Sequence, residues 1–188
     1  MIIENHLQKQ AEFRAAEENG DRYIEGYFIV FDDIYDMGYG MTESVDRHAL
    51  DSTIHGDIRV LCDHDSRIVL GRTTAGTVEF RIDDHGLFGR VKINPDDTDA
   101  TNTWARVKRG DVDQASCGFR IIREEKTVNG DSIHWTLLEI ELYETTVCTF
   151  PAYEGTSLSA RAKERRNLEK RKFELWKEQQ KERITKWH

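Results

Sequence analysis

Two turn sequences constrain the fold of this chain more than any other feature. Asp83–Gly86 and Asn129–Gly130 each lie between two runs rich in β-branched and aromatic residues, which is the pattern of an antiparallel β-hairpin. Similar runs elsewhere complete a set of predicted strands: Glu12–Ala15, Arg22–Phe31 with a bulge at Gly26, Ile58–Cys62, Ile68–Thr73, Thr77–Ile82, Leu87–Ile93 and His134–Thr149, with one more leaving Ser116. The sequence therefore predicts a mainly antiparallel β structure.

Two short helices are expected between these strands. Ser44 is a suitable N-cap for a helix over Val45–Thr53, and Asp99 for a helix over Ala100–Arg109. Short strands, tight hairpins and a few small helices are typical of a closed or nearly closed β-barrel. We therefore predict a mainly β fold with helices (α+β): a compact antiparallel β-barrel decorated by short helices, followed by a long C-terminal helix.

The segment from Leu158 onward differs from the rest in composition. It contains no Gly or Pro and is rich in Glu, Lys, Arg and Gln, which are good helix formers. One face of the expected helix carries side chains spaced three or four residues apart: Phe173, Trp176, Gln180, Ile184 and Trp187. We predict a barrel domain over residues 1–157 and a charged helical tail over 158–188. The apolar stripe of the tail needs a partner surface, which is the barrel itself, another protein or a second copy of the chain.

Charge and cysteine usage exclude several classes of protein. Residues 161–188 hold eleven Lys and Arg against five Asp and Glu, a net charge of +6, whereas the whole chain carries −8. The body of the protein is therefore strongly acidic, which disfavours a duplex-DNA binder. No apolar run approaches the ~20 residues of a membrane span. Three cysteines without a C-x-x-C pair indicate a reduced, cytosolic compartment.

The segment Gly110–Arg120 carries the candidate nucleophile. Ser116 follows a charged turn, with Ala115 before it and Gly118 two residues after it, at the start of a β-run. We expect its hydroxyl to lie at an exposed strand edge, where a substrate backbone can approach. Serine needs a base to take its proton, so this interpretation depends on a histidine elsewhere. A serine in a β-hairpin without chemistry is the alternative.

His64 is the candidate base. It directly follows an apolar strand and lies between Asp63 and Asp65, so we expect it at a strand end beside carboxylates that would stabilise its charged form. The same three residues also permit a divalent-metal site, although no second ligand cluster is present in the sequence. We expect no cofactor and no metal for a serine–histidine mechanism.

Several segments, in order, resemble the prohead maturation proteases of tailed bacteriophages, which are relatives of the herpesvirus assemblin proteases. The resemblance covers roughly Arg22–Ala160, and its motifs are Gly26–Phe31, Met41–Leu50, Leu61–Asp65 with Leu70–Arg72, Asp84–Gly89, Arg109–Phe119 and Leu142–Ala152. The resemblance implies that Ser116 is the nucleophile and His64 the general base. Two positions depart from the family pattern: Cys117 stands where another small or aromatic residue is more common, and Thr146 stands where a serine is usual. In an extended strand Cys117 would face away from His64.

The resemblance also implies an acidic third residue on the last strand, where Glu139, Glu141 and Glu144 all qualify. Strict alternation places Leu138, Ile140 and Leu142 on one face, with Glu144 continuing that row as the apolar pattern ends. We predict Glu144 on this basis. Candidate donors to the oxyanion are Arg72, Arg120 and the backbone near Gly118.

The biology implied by the resemblance is cleavage of the major capsid protein or its scaffold segment. It would take place inside the immature head in the host cytoplasm and include autoproteolysis. A homo-oligomer is a further expected partnership, whereas no membrane and no specific nucleic acid are expected as partners. Two other classes remain open from the sequence: a non-catalytic capsid assembly or scaffold protein on the same barrel, and a metal-dependent hydrolase.

Overall fold

The protein is mainly β with helices in the computed structural model, which describes residues 9–10, 13–150, 166–174 and 176–177. The strands are β1 (Lys9–Gln10), β2 (Arg14–Glu18), β3 (Asp21–Val30), β4 (Tyr35–Gly38), β5 (Met41–Val45), β6 (Arg59–Cys62), β7 (Asp65–Arg72), β8 (Val78–Ile82), β9 (Gly86–Lys92), β10 (Gln114–Asn129) and β11 (Ser132–Cys148). The helix α1 spans Thr98–Arg109, and residues 166–174 and 176–177 form a second helix, the tail helix.

The strand β11 organises the larger of two sheets. It pairs antiparallel with β10 along most of its length, parallel with β5 near its start and parallel with β6 near its end. The strands β1, β4 and β7 extend this sheet by pairing with β10, β5 and β6, respectively. The smaller sheet is antiparallel, in the order β2-β3-β9-β8.

The predicted closed barrel is not confirmed. Pairing among the described strands gives two separate sheets of seven and four strands. Their inner faces share the core, since Ile24 and Val91 of the smaller sheet lie in one buried cluster with Val60 and Val147 of the larger sheet. Burial of both inner faces removes apolar surface from water without any need for the sheets to close through hydrogen bonds. The coarser prediction, an α+β fold that is mainly β, is confirmed.

The helix α1 forms where the sequence predicts it but begins earlier. The side chain of Asp97, and not that of Asp99, caps the helix by accepting from the N–H groups of Asp99 (2.9 Å) and Ala100 (3.2 Å). Trp104 of this helix lies in the core and its Nε1–H donates to the carbonyl of Tyr23 at 3.1 Å. The helix therefore covers one end of the core between the sheets.

The predicted helix over Val45–Thr53 is wrong. Residues 41–45 form β5, and residues 47–55 form turns. The carbonyl of Val45 accepts from the N–H of Asp32, and the N–H of Asp46 donates to the carbonyl of Leu137. A helix would have used the carbonyl of Val45 and left the N–H of Asp46 without a partner in its first turn. Both groups have long-range partners here, so tertiary pairing overrides the local preference.

The bulge in β3 lies beyond the predicted position. Gly26 is in register with Gly89 of β9, and the register shifts between Tyr27 and Ile29. A Cβ on Gly89 would lie 2.6 Å from the ring of Phe28. Glycine at position 89 thus lets that ring pack across the sheet.

The tail helix packs against the start of β11. Leu168 is buried in a cluster with Met37, Met41, Ile133 and Trp135. Lys172 Nζ donates to the carbonyl of Tyr39 at 3.0 Å. Of the predicted stripe, Phe173 and Trp176 are exposed and stack with their ring centroids 5.9 Å apart. The other members, Gln180, Ile184 and Trp187, lie outside the described residues, as does the predicted domain boundary at residues 157–158.

No helix in the described part of the chain is long and apolar enough to cross a membrane.

Candidate active site

One face of the β10–β11 pair carries the candidate nucleophile and acid. Ser116 is opposite Thr146, and Gly118 is opposite Glu144. Directly opposite residues of an antiparallel pair share a face, and so do residues two apart on one strand. The side chains of Ser116, Glu144 and Thr146 therefore project from the same side of the sheet.

His64 reaches this face from the tip of a two-residue hairpin. Cys62 of β6 pairs with Asp65 of β7, so Asp63 and His64 alone form the loop. Both loop residues have positive φ, 49° and 57°, as the central residues of a type I′ turn require. Asp and His are among the non-glycine residues that tolerate this region best. From the sequence His64 was expected at a strand end, but the hairpin was missed because the second strand was predicted to begin at Ile68 whereas β7 begins at Asp65.

Three hydrogen bonds, each with a backbone N–H as donor, hold the hairpin tip on the end of β11 and the residue that follows it. The N–H of Asp63 donates to the carbonyl of Val147 at 3.0 Å, and Oδ1 of Asp63 accepts from the N–H of Thr149 at 2.9 Å. The N–H of His64 donates to Oγ1 of Thr146 at 3.0 Å. The hairpin thus lies on the same stretch of β11 that supplies Glu144.

The structure brings His64 and Glu144 together. Nδ1 of His64 lies 2.7 Å from Oε1 of Glu144, and the two side chains are 22% and 15% exposed. Gly118 makes room for this carboxylate, because a Cβ at that position would lie 2.7 Å from Oε1. A half-buried carboxylate at this distance orients the imidazole and selects its tautomer.

The other two acidic candidates on β11 have other partners. Glu141 forms an ion pair with Arg120 at 2.6 Å and accepts from the hydroxyl of Tyr143 at 2.8 Å. The hydrogen bonds from Tyr143 and, second, from Arg120 hold the pKa of Glu141 below its usual value. Glu139 lies 3.9 Å from Arg123. Of the three glutamates, Glu144 is the one in contact with His64.

The alternation argument that selected Glu144 is wrong, although the residue it selected contacts His64. Gly118 pairs with Glu144 whereas Phe119 pairs with Leu142, so Tyr143 is an extra residue in β11. This bulge turns Glu144 to the face opposite that of Leu142, which is buried in the core. A carboxylate in the predicted row would have pointed into that core.

Ser116 is buried, not exposed at a strand edge as the sequence analysis expected. Its relative exposure is 0%, and its Oγ has no hydrogen-bond partner among the described residues. Catalytic hydrogen bonds are often long before substrate binds, so the missing serine–histidine bond is compatible with catalysis. Cys117 lies on the opposite face, in a core cluster with Phe119.

The thiols of Cys62 and Cys148 are not reactive, and the two candidate arginines already have ion-pair partners. Burial raises the pKa of Cys148 to about 12 and also raises that of Cys62, so both thiols stay protonated at neutral pH. The predicted oxyanion donors Arg72 and Arg120 form ion pairs with Asp57 and Glu141, each at 2.6 Å.

The carboxylates of Asp63 and Asp65, which flank His64 in the sequence, are bound to other groups. Asp65 pairs with Arg67 at 2.6 Å, and the hydrogen bonds of Arg67 lower the pKa of Asp65 to about 2. Asp63 accepts from the backbone of Thr149. Within the described ranges, no group of three or more His, Cys, Asp or Glu side chains could hold a metal ion. The local geometry therefore gives no support to the metal alternative.

Comparison with known proteins defines first the class and then the family. Residues 9–171 match the family model described as caudovirus prohead serine protease, so the chain is a serine peptidase, a hydrolase that acts on peptide bonds. The chain belongs to the caudovirus prohead serine protease family, as the sequence motifs predicted. Searches of curated proteins and of solved structures give no match.

Proposed function

We propose that this protease cleaves capsid or scaffold proteins during maturation of the phage prohead, with Ser116 as nucleophile, His64 as general base and Glu144 as the third catalytic residue. The observation that carries the assignment is the 2.7 Å contact between His64 Nδ1 and Glu144 Oε1. It lies on the face of β10 and β11 that also bears Ser116. Family membership supports the reaction class.

The proposed mechanism is acyl transfer through a serine ester. His64 donates through Nδ1 to Glu144, which leaves Nε2 to take the proton of Ser116. Oγ of Ser116 attacks the scissile carbonyl carbon, and His64 returns the proton to the leaving amine. Water then attacks the ester with His64 again as base, the bond from the acyl carbon to Ser116 Oγ breaks, and His64 returns the proton to Oγ. Since Arg72 and Arg120 are ion-paired, we propose that backbone N–H groups near Gly118 donate the hydrogen bonds that stabilise the oxyanion.

The burial of Ser116 adds a requirement to this mechanism. A nucleophile with 0% exposure meets a peptide only after neighbouring chain has moved. We therefore propose that the described state is a closed resting state and that binding of an extended substrate opens it.

The proposed setting follows from the family. The substrates are the major capsid protein or its scaffold segment, the reaction takes place in the immature head within the host cytoplasm, and the protease also trims itself. Association of the protease with a second copy of itself belongs to the same proposal.

Labelling with a fluorophosphonate tests the nucleophile. The wild-type protein should be labelled and should cleave its capsid protein, whereas Ser116→Ala and His64→Ala should each lose cleavage by several orders of magnitude. The double variant should be little worse than either single one, because members of one catalytic unit fail together. Cys117→Ala, next to the nucleophile but in the core, is the matched control and should keep the label.

Four outcomes would contradict parts of the proposal. Persistent labelling of Ser116→Ala would assign the nucleophile elsewhere, and activity in that variant combined with loss in Cys117→Ala would assign it to the thiol. Loss of activity on metal removal, restored by added metal, would favour the hydrolase alternative. Mass spectra that show the same self-trimming in wild type and in Ser116→Ala would overturn the autoproteolysis.

A further inference from the structure

Thr146 connects the candidate base to both of its partners. It is fully buried on β11, directly opposite Ser116 and two residues from Glu144. Its Oγ1 accepts the backbone N–H of His64 at 3.0 Å. One hydroxyl thus fixes the backbone of His64 on the strand that faces the nucleophile and carries the acid.

We propose that Thr146 is a positioning residue for catalysis: its hydroxyl holds His64 at the place where the imidazole meets both Glu144 and Ser116. This inference rests on the proposed roles of His64 and Ser116.

The hairpin that carries His64 needs such an anchor. Its loop contains two consecutive non-glycine residues with positive φ, a conformation that persists only where surrounding contacts impose it. Asp63 is held at two points, through the carbonyl of Val147 and the N–H of Thr149. For the backbone N–H of His64, the hydroxyl of Thr146 is the acceptor. Loss of that hydroxyl would free the end of the loop from which the imidazole projects.

The neighbouring Thr145 provides a matched control. It is equally buried and lies on the same strand, but its side chain projects from the opposite face and its Oγ1 has no hydrogen-bond partner within the described part of the chain. Thr145→Val and Thr146→Val therefore make the same chemical change at adjacent positions. Only the second change removes a contact with His64.

The experiment compares Thr146→Val, Thr146→Ser and Thr145→Val in peptide hydrolysis and in the rate of fluorophosphonate labelling. A displacement of about 1 Å in a catalytic group costs roughly 10²-fold, so Thr146→Val should lower kcat and the labelling rate by about 10- to 100-fold. KM should change little, because the hydroxyl does not contact substrate. Thr146→Ser keeps the acceptor and should recover most of the loss, and Thr145→Val should behave as wild type.

A kcat of Thr146→Val within about threefold of wild type would overturn the inference, and so would a Thr146→Ser variant as slow as Thr146→Val. Hydrogen exchange at the amide of His64 provides a measurement that does not depend on whether Thr146→Val folds. The amide should be protected in the wild type and in Thr146→Ser, and rapid exchange in the wild type would contradict the anchor. Ser116→Ala separates the two proposals. Cleavage by that variant would refute Ser116 as the nucleophile. An inactive Ser116→Ala together with a fully active Thr146→Val would refute only the positioning role of Thr146.

Discussion

Glu144 can approach His64 because the residue opposite it has no side chain. Gly118 lies across the strand pair from Glu144, and the carboxylate occupies the space where a Cβ would be. The bulge at Tyr143 turns Glu144 away from the core and toward this space. The position of the acid is therefore set by a missing side chain on one strand and an extra residue on the other.

Replacement of Glu144 by Gln tests its charge while keeping its shape. We expect Glu144→Gln to lower kcat/KM by about 10²- to 10⁴-fold, because an amide neither stabilises the imidazolium nor selects its tautomer as a carboxylate does. Glu141→Gln and Glu139→Gln, whose side chains pair with arginines, are the controls and should stay close to wild type. Full activity of Glu144→Gln beside an inactive control would transfer the role to the other glutamate.

A methyl group at position 118 should act through Glu144. Gly118→Ala places a Cβ 2.7 Å from Oε1 of Glu144, so this oxygen, which contacts His64, must shift. We expect a loss of about tenfold or more in kcat/KM, following the sensitivity of catalysis to small displacements. In the Glu144→Gln background the same change should add little, which a double-mutant cycle measures. Fully additive losses would show that Gly118 serves a different purpose.

The hairpins and the helix that form through contacts between residues close in the sequence were predicted from local sequence patterns. The turns at Asp83–Gly86 and Asn129–Gly130 do connect antiparallel partners, β8 with β9 and β10 with β11. The helix α1 also forms, with its cap displaced to Asp97. These elements have their partners within a few residues of each turn or within the helix itself.

Strands and bulges whose position depends on residues distant in the sequence were predicted less well. The parallel pairing of β5 with β11 places Thr42 opposite His134. The local sequence of residues 44–53 does not indicate this pairing. The bulge at Tyr143 likewise arises from the register with β10. The resemblance to a family selected His64 and Ser116 as candidates, and their roles stay a prediction. Glu144, which contacts His64, was chosen through an incorrect assignment of strand faces. Sequence periodicity does not contain the register shift that decides it.

The hairpin between β6 and β7 should tolerate Asn but not Val at position 63. Asn keeps an oxygen that can accept from Thr149 N–H and adopts positive φ readily, so Asp63→Asn should leave the free energy of unfolding within about 0.5 kcal/mol of wild type. Asp63→Val loses the acceptor and strains a β-branched residue, at a cost of about 2–4 kcal/mol. Urea unfolding measures both.

Asp65→Asn is the control for that comparison. Its carboxylate pairs with an exposed arginine, Arg67, and such pairs contribute about 0–1 kcal/mol. If Asp63→Val proved as stable as Asp65→Asn, the left-handed loop would not be a source of strain.

One side of the tail helix packs against the rest of the protein, and another side is exposed to solvent. Leu168 and Lys172 contact the rest of the protein, whereas Phe173 and Trp176 are more than half exposed and stack on each other. The tail from residue 161 also carries a net charge of +6 on a chain of −8. An exposed aromatic pair on a basic helix fits a partner with acidic and apolar groups, such as a segment of the scaffold.

The double change Phe173→Ala and Trp176→Ala should separate recruitment from catalysis. We expect it to lower the number of protease copies packaged into heads, with peptide cleavage unchanged because every proposed catalytic residue lies outside the tail. Counting packaged copies in the Ser116→Ala background, which prevents self-cleavage, measures this. Truncation after Ala160 should have the same effect on packaging and leave a folded domain.

Leu168→Ala is the matched control, since it weakens the contact of the helix with its own protein but keeps the outward aromatic pair. Equal packaging of wild type and the Phe173 and Trp176 double variant would refute the docking role of the tail. Unfolding upon truncation would show that Leu168 and its neighbours are essential to the core.

The route of the chain through the larger sheet also sets when this enzyme can first act during its own synthesis. His64 on the β6–β7 hairpin and Glu144 on β11 are 80 residues apart in the sequence, and the hydrogen bond between His64 and Thr146 spans 82. Contacts so distant along the chain form slowly, because a large loop must close first. A ribosome must therefore have released the chain through β11 before His64 can meet Glu144 and Thr146. If His64 and Glu144 act as proposed, translation itself delays the onset of proteolysis, since β11 is the last strand to be made among those described.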